Sequence, residues 1–415
     1  MPQGKDLRPL QNLPRSSLGS HAQAAGHRTL LSAFLSTDVI AWLGQYISHR
    51  IGARHRFQDY SNTAPDTGIY PLAGDGGQQD GEIRIVMAGD WGTGTDEAND
   101  VAQFMQAAQP HFTIHLGDVY FVGDTDEVKE NCLGQSTSPG TLASTWPPGS
   151  RGSFALNGNH EMYALGNAYF DLFLPTLGIR TGGALAGQKA SFFALRNDYW
   201  TIVGLDTGYN SVGVPLLENI PGFQPDCTLR DEHMAWLRDT LGLAKDPRGI
   251  ILLSHHQYFS AFDDWYPKPA QQLSEFLQRP VLWFWGHEHR LAFYHCQSFN
   301  NGIQAYGRCM GHGGMPVDIN SPVQHTECPV ELVDNRSYPN TEGIVVGYNG
   351  YVRLTFLKNA LTVEYRTIGT DKPAVYDQLV ATEQWTTTNG AVLRAEASRA
   401  IADPQLTTSL PLAGG

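Results

Sequence analysis

Five short apolar runs constrain the fold of this chain most strongly, because each is nearly continuous in apolar residues and each is followed within a few residues by Asp, Asn or His. The runs are Ile83–Ala88, Phe112–Leu116, Phe154–Leu156, Ile250–Leu253 and Val281–Trp285. Strands that are covered on both faces have this pattern, since neither face meets water. Apolar residues recur at helical spacing in the segments between them, at Glu97–Ala108, Asn167–Leu174, Arg230–Leu241 and Ala270–Leu277. This alternation predicts a layered α/β (α+β) domain.

Residues that commonly bind metals follow each of the five runs. They are Asp90, Asp118, Asn159 with His160 and Glu161, His255 with His256, and His287 with His289. Open α/β sheets place their ligand crevice at the carboxyl ends of the strands, so these side chains are expected to meet. Mixed oxygen and imidazole donors suit divalent ions such as Fe, Mn or Zn. A purely structural interpretation would need the same coincidence at five strands, so we predict a metal site.

The composition argues against several classes of protein. A formal net charge of −13 opposes a nucleic-acid-binding surface, which is normally basic, and favours small phosphate esters as partners. The five cysteines include no CxxC pair, which argues against a zinc ribbon, and their odd number argues against a full disulfide framework while leaving one or two bridges open. No apolar run approaches the ~20 residues of a membrane helix, and the first residues lack the apolar segment of a secretory signal. We therefore expect a cytoplasmic protein without a membrane span.

The chain is predicted to have three segments. These are an N-terminal helical extension and linker (residues 1–80), a catalytic domain (81–370) and a C-terminal tail (371–415). Between His27 and Ile51, apolar residues recur at helical spacing. The simplest interpretation is that this unit packs against its own catalytic domain; a lid, a membrane-surface helix and a homodimer contact are the alternatives. A hairpin of Gly350–Phe356 with Leu361–Thr367 is predicted to close the sheet.

The order of the motifs resembles the calcineurin-like metallophosphoesterase superfamily. The matching motifs are Asp90-Trp91-Gly92, Gly117-Asp118, Gly158-Asn159-His160-Glu161, a histidine after the fourth run, and Gly286-His287-Glu288-His289. Gly92 stands where most of the superfamily has histidine, and this resembles the purple acid phosphatase branch. The resemblance covers roughly Ile83 to Ile368. It implies two packed mixed β-sheets flanked by helices, with a dinuclear metal site at the strand ends.

The same resemblance implies a role for each residue. One metal would take Asp90, Asp118 and His289, and the other would take Asp118, Asn159, His255 and His287, so that Asp118 bridges the two. His256 is the alternative to His255, because both follow the same run. Asn159 and His160 would contact the substrate, His160 would also protonate the leaving oxygen, and Glu161 would support the site.

The implied reaction is hydrolysis of a small phosphate ester by a metal-bound hydroxide at a site holding two divalent ions. Two other hypotheses stay open. One is a nuclease-type or cyclic-nucleotide phosphodiesterase, and the other is a scaffold that kept the fold and lost the chemistry.

One position departs from the purple acid phosphatases, which place a metal-binding tyrosine three residues after the bridging aspartate. That position is Phe121 in this chain, and Tyr120 lies one residue early. A shift of one residue turns a side chain to the opposite face of an extended segment. We therefore predict that Tyr120 does not reach the metal and that the enzyme is colourless.

Other polar or aromatic residues near the runs are predicted to be structural. His115 lies inside a run and is expected in the core, and Asp206 is expected to stabilise a turn. Trp283 and Trp285 are expected in the core. The segment Gly311-His312-Gly313-Gly314 is either a plain turn or a loop that borders the pocket.

Overall fold

The computed structural model describes residues 52–137, 143–181, 184–213, 225–340, 343–370 and 374–413. The helical pattern predicted between His27 and Ile51 lies outside these residues, so its packing stays a prediction. Among the residues described, no helix combines the length and the apolar character needed to cross a membrane.

Strands dominate the described residues. In chain order they are β1 (Ile69–Pro71), β2 (Glu82–Ala88), β3 (Phe112–His115), β4 (Gly152–Ala155), β5 (Gly178–Thr181), β6 (Ala184–Leu185), β7 (Phe193–Arg196), β8 (Trp200–Gly204), β9 (Gly249–Ser254), β10 (Val281–Trp285), β11 (Leu291–Gln297), β12 (Ala305–Met310), β13 (Val330–Asp334), β14 (Ser337–Pro339), β15 (Val345–Gly347), β16 (Gly350–Leu357), β17 (Ala360–Gly369), β18 (Tyr376–Thr388), β19 (Ala391–Arg399) and β20 (Leu406–Thr408).

The helices are short. They are α1 (Asp96–Ala107), α2 (Thr125–Cys132), α3 (Asn159–Tyr163), α4 (Asp231–Ala235) and α5 (Lys268–Leu273), with π-helical turns at Tyr169–Phe173 and Trp236–Thr240 and 3-10 turns at Asp75–Gly77, Leu174–Thr176 and Leu243–Lys245. The longest, α1, begins after Thr95, whose side chain accepts a hydrogen bond from the Ala98 amide. Such a cap satisfies an amide that has no partner within the helix.

Two nine-stranded mixed sheets form the body of the part of the chain that the structure describes. Sheet I has the order β1-β7-β8-β9-β10-β12-β11-β13-β20, and sheet II has the order β19-β18-β17-β16-β2-β3-β4-β5-β6. Strands β8, β9, β10 and β12 are parallel at the centre of sheet I, as are β2, β3 and β4 in sheet II. The predicted architecture of two packed mixed sheets with flanking helices is confirmed.

The hydrophobic core explains the continuous apolar runs. In β2, alternate side chains Ile83, Ile85 and Met87 pack between the sheets, together with residues of β9 and β10. Val86 and Ala88, on the other face of the strand, pack into a second cluster that contains the buried side of α1. Both faces of the strand are therefore buried, as the run predicted. Each of the five runs forms a strand within one or two residues of its predicted bounds.

Residues after 371 correct the predicted tail. The predicted hairpin is present as β16 and β17, but sheet II continues into β18, which pairs antiparallel with β17, and β19, which pairs antiparallel with β18. The tail prediction is wrong for these strands. Buried and half-exposed residues alternate along much of β18, and Trp385 is fully buried. The mean hydropathy of the segment is therefore low although one face of the strand is buried. The boundary near residue 80 stays a prediction, although β1 in the predicted linker pairs with β7.

A buried ion pair joins the two sheets. Arg308 of β12 donates two hydrogen bonds to the Glu383 carboxylate of β18, at 2.9 and 2.6 Å, and neither side chain meets solvent. The hydroxyl of Tyr365 and a guanidinium nitrogen of Arg394 lie 2.6 and 3.2 Å from the same carboxylate. Removing one member of such a pair is costly, because the other charge stays buried without its main partner. The pair therefore depends on the strand that the tail prediction missed.

Candidate metal centre

The predicted site residues meet at one edge of the molecule. Asp90, Asp118 and Asn159 follow β2, β3 and β4 of sheet II, while His255 and the pair His287 and His289 follow β9 and β10 of sheet I. The carboxyl ends of parallel strands from both sheets thus face one another. Burial is high throughout, because all of these side chains except His287 are less than a tenth exposed.

Three of these residues adopt a backbone conformation that ordinary side chains avoid. The φ angles of Asp90, Asp118 and His287 are 59°, 73° and 66°. Left-handed conformations at residues other than glycine cost of order 1–3 kcal/mol each and cluster at functional sites. Neighbouring backbone holds one of these turns, since the Met315 amide donates to the Asp90 carbonyl at 3.1 Å.

The first group of donors centres on Asp90 and His289. The His289 Nε2 atom lies 3.3 Å from Asp90 Oδ1. The Tyr120 hydroxyl lies between them, 2.7 Å from Asp90 Oδ1, 3.0 Å from His289 Nε2 and 3.1 Å from Asp118 Oδ2. Oxygen and nitrogen atoms at these spacings face one small volume.

The second group of donors centres on His255. Its Nε2 atom lies 3.2 Å from both Asp118 Oδ2 and Asn159 Oδ1, and 3.3 Å from His287 Nδ1. On the far side of the ring, Nδ1 lies 2.9 Å from the Leu116 carbonyl, which can only accept, so Nδ1 donates. A backbone partner of this kind fixes the tautomer of a metal-binding histidine and aims its other nitrogen at the ion.

The electrostatics of the cluster favour positive charge. Burial raises the pKa of Asp118, but the charges of His255 and His160 outweigh it and hold the pKa well below its ordinary value. Burial lowers the pKa of His255, but the charge of Asp118 outweighs it and raises the pKa to about 9. The two shifts agree that carboxylate and cation stabilise each other here. The donor set therefore fits a divalent cation, and Asp90, Asp118 and His255 hold donor atoms within 4.8 Å of one another.

Comparisons with known proteins bear on this geometry. The sequence profile of the calcineurin-like phosphoesterase family matches residues 83–291, just over half of the 415 residues, and this range contains all six predicted ligands. The chain belongs to the calcineurin-like phosphoesterase family. It is therefore a hydrolase of phosphoric ester bonds, and metallophosphoesterases of this family use divalent metal ions.

Solved structures with detectable similarity are distant from this phosphoesterase. The structure of PhoD has 12% identity and a TM-score of 0.46, and the match covers 82% of this chain and 74% of PhoD. Purple acid phosphatase PPD1 from yellow lupin has 16% identity and a TM-score of 0.42, with coverage of 74% of this chain and 54% of the lupin protein. GAP50, described as the anchor in the inner membrane complex of Plasmodium, has 15% identity and a TM-score of 0.42, with coverage of 72% and 88%. No curated protein matches the chain.

Tyr120 of the phosphoesterase corrects one expectation. Its side chain was predicted to turn away from the metal, yet its hydroxyl contacts Asp90, Asp118 and His289. The prediction is wrong because the alternation of faces holds only for extended backbone, and the chain leaves that conformation at Asp118, where φ is 73°. Phe121, at the expected position, instead offers its carbonyl to His160.

His160 lies beside the two groups of donors. Its Nδ1 atom donates to the Phe121 carbonyl at 2.6 Å, and its Nε2 atom lies 3.7 Å from Asp118 Oδ2. The ring packs between the rings of Tyr120 and Tyr163, with centroids 4.2 and 4.9 Å away. Burial lowers the pKa of His160, although the charge of Asp118 acts in the opposite direction.

Two further residues hold the donors in place. Glu161 Oε2 accepts hydrogen bonds from the backbone amides of Gly158 at 2.9 Å and Asp118 at 3.2 Å, so it joins the turns after β3 and β4. This placement is consistent with its predicted supporting role.

Tyr163 was missed by sequence reasoning. Its hydroxyl accepts from Asn159 Nδ2 at 2.9 Å, which turns Oδ1 of that amide towards His255. The sequence did offer a signal for this contact, because Tyr163 follows Asn159 by four residues and side chains four residues apart lie on the same face of a helix.

His256, the alternative ligand, lies beside the cluster, next to Thr207 and His287. Its backbone amide and ring Nδ1 both lie 3.1 Å from the Thr207 hydroxyl. Its ring centroid is 4.6 Å from that of His287, and these two with His255 form a second group that could hold an ion. The contacts with Asp118 and Asn159 are made by His255.

The residues predicted to be structural have structural contacts. His115 is fully buried against Trp146, and the Asp206 carboxylate accepts from the Tyr209 amide at 2.7 Å, which closes a turn. Trp283 and Trp285 are buried in the core. The loop at residues 311–314 packs against the Asp90 turn, because the Gly313 amide donates to the Gly89 carbonyl at 3.0 Å.

Proposed function

We propose that this chain is a dinuclear metallophosphoesterase that hydrolyses small phosphate esters. The observation that carries the proposal is the position of Asp118. Its Oδ2 atom is 3.1 Å from the Tyr120 hydroxyl on one side and 3.2 Å from His255 Nε2 on the other. A carboxylate shared by two donor groups is what a pair of ions 3.5–4 Å apart requires.

Each ion would be held by donors of the two groups described above. Asp90, Asp118 and His289 would hold one, with the Tyr120 hydroxyl within reach of all three. Asp118, Asn159, His255 and His287 would hold the other. The mixture of carboxylate, amide and imidazole donors suits Fe, Mn or Zn. Bound divalent ions would supply Lewis acidity and lower the pKa of water enough for it to act as the nucleophile near neutral pH.

His160 would move the proton of the reaction. Because Nδ1 donates to the Phe121 carbonyl, only Nε2 is oriented to exchange a proton with a substrate. Burial lowers the pKa of His160, and the negative charge of a bound phosphate would raise the pKa again. Asn159, with Oδ1 turned inward, would share the contact with the substrate.

The charge of the molecule supports small substrates. A net charge of −13 opposes long nucleic acids, whose binding depends on neutralising many phosphates. A panel of phosphomonoesters, diesters and triesters, assayed with Fe, Mn and Zn in turn, distinguishes among the substrate classes.

Substitution of Asp118 tests the dinuclear assignment. Elemental analysis of the wild type loaded with metal is expected to find two ions per chain, and Asp118→Ala is expected to lose both ions and turnover. Asp377→Ala is the matched control, because it removes a carboxylate that bonds Tyr351 and Arg366 and none of the proposed ligands. Retention of two ions and full turnover by Asp118→Ala would refute the proposal.

A further inference from the structure

A cavity of about 540 Å³ lies at the opposite end of sheet II from the metal centre. Its lining includes Arg84, His111 and Ser150, which stand near the amino ends of β2, β3 and β4, and Arg180 of β5. Asp90 follows Arg84 by six residues, so the cavity and the metal centre are roughly 20 Å apart along an extended strand. The cavity is therefore a separate feature of the fold.

The charged groups of the lining are mainly basic. Arg84 and Arg180 contribute two positive charges, and Asp75 contributes the only negative charge among the described residues of the lining. The Asp75 side chain is 86% exposed, so solvent screens it at the rim. Glu82, which is not part of the lining, pairs with Arg84 at 2.6 Å, so Arg180 supplies the positive charge of the cavity that has no carboxylate partner among the described residues.

Donors in the cavity are available to a ligand. The Arg180 guanidinium is half-buried, and within the described part of the chain it makes no hydrogen bond or ion pair. Arg84 is held in place, since its Nε donates to the Gln109 carbonyl at 3.0 Å and one terminal nitrogen to Glu82 at 2.6 Å. Its other terminal nitrogen has no such bond to a described residue.

His111 adds a fixed donor. Its ring is only 3% exposed, and Nδ1 accepts a hydrogen bond from the Arg84 amide at 2.9 Å. The ring proton of a neutral imidazole must then be on Nε2, which lies 3.5 Å from Asp75. Burial lowers the pKa of His111 and favours that neutral form.

We propose that this cavity is a second anion site, which holds a phosphate-sized oxyanion apart from the metal centre. Guanidinium groups donate paired hydrogen bonds to oxyanions. Two guanidinium groups and an imidazole N–H offer more hydrogen-bond donors than the two oxygens of a carboxylate can accept. A tetrahedral oxyanion such as phosphate has four oxygens and suits this number of donors better.

Calorimetric titration with inorganic phosphate tests the site. The full chain is used in the Asp118→Ala background, so that phosphate binding at the metal centre does not contribute. Saturable binding of one phosphate per chain is expected, and Arg180→Gln or Arg84→Gln is expected to weaken it by about 10- to 100-fold. Arg238→Gln is the matched control, because it removes the same charge from an exposed ion pair with Glu275.

Several outcomes would overturn the site. They are an absence of saturable binding, binding that Arg180→Gln and Arg84→Gln leave unchanged, and equal weakening by Arg238→Gln. Circular dichroism of each variant verifies folding, and Arg180 is half-exposed, so its replacement is not expected to unfold the chain. The test is independent of the proposed function, because loss of metals and turnover in Asp118→Ala is read separately from phosphate binding.

Discussion

Tyr163→Phe is expected to weaken metal binding although Tyr163 is outside the proposed ligand sets. The substitution keeps the ring that packs 4.9 Å from His160 and removes only the hydroxyl that accepts from Asn159 Nδ2 at 2.9 Å. Without that acceptor, nothing holds the side-chain amide of Asn159 in one orientation. Its Oδ1 atom is then no longer fixed towards His255. Groups that orient a ligand in this way change metal affinity by about 10- to 100-fold when they are removed.

The loss should be confined to one of the two ions. In the proposed dinuclear site, the ion near His255 and His287 would depend on Asn159, whereas the ion near Asp90 and His289 would not. Competition between the full-length protein and a chromophoric chelator for Zn²⁺ or Mn²⁺ measures both affinities, and the expected change of about 1.4–2.7 kcal/mol is well resolved. Turnover at saturating metal should recover towards that of the wild type, because the ring beside His160 is unchanged.

The matched control is Tyr351→Phe. It removes a hydroxyl that donates to Asp377 at 3.0 Å on sheet II, and neither partner of this bond is a proposed ligand. Equal affinity of Tyr163→Phe and the wild type for both ions, or an equal loss in Tyr351→Phe, would refute the orienting role.

Four further changes test other parts of the molecule. His160→Ala is expected to keep its metals and lose turnover by about 10²- to 10⁴-fold, more for alkyl than for nitrophenyl esters, because a basic leaving group needs the proton most. Arg308→Met should lower the free energy of unfolding by about 3–5 kcal/mol, and adding Glu383→Leu should restore most of it, as measured by urea denaturation. His233 is buried, and burial lowers its pKa to about 3. The free energy of unfolding should therefore fall by up to about 1.4 kcal/mol per pH unit as the pH drops below about 6.5, and the fall should be smaller in His233→Phe. Iron-loaded, oxidised protein should show an intense visible band that Tyr120→Phe abolishes, because the hydroxyl contacts three of the proposed ligands.

Each of these has a contrary result. An equal loss for both ester types would remove the proton-transfer role of His160. A double variant as unstable as Arg308→Met would mean that the uncompensated charge of Glu383 is not the cause. The same pH dependence in His233→Phe as in the wild type would assign the acid sensitivity to other groups. A colourless iron-loaded protein would restore the original expectation for Tyr120.

The strands and most of the donor cluster could be predicted because their signals are local. A run that is buried on both faces is apolar throughout, as in β2, and the polar residue after it must lie at the carboxyl edge of the sheet. β18 had no such signal. One face of that strand meets solvent, so its buried residues, such as Trp385 and Glu383, are interleaved with polar ones. The charge of Glu383 hides its burial until its partner, Arg308, is brought near by the fold.

The error at Tyr120 has the same origin as the site itself. Predicting which face a side chain occupies requires regular backbone, yet the turns after three of the predicted strands are left-handed at Asp90, Asp118 and His287. Those turns direct donor atoms from different strands towards one small volume. Strands that continued in regular extended conformation would not bring these atoms together. Their cost, of order 1–3 kcal/mol each, is sustained by the packed sheets on which they stand. Local rules therefore identify the donors and fail for the residues beside them, because the strain that assembles the site removes the regularity on which those rules depend.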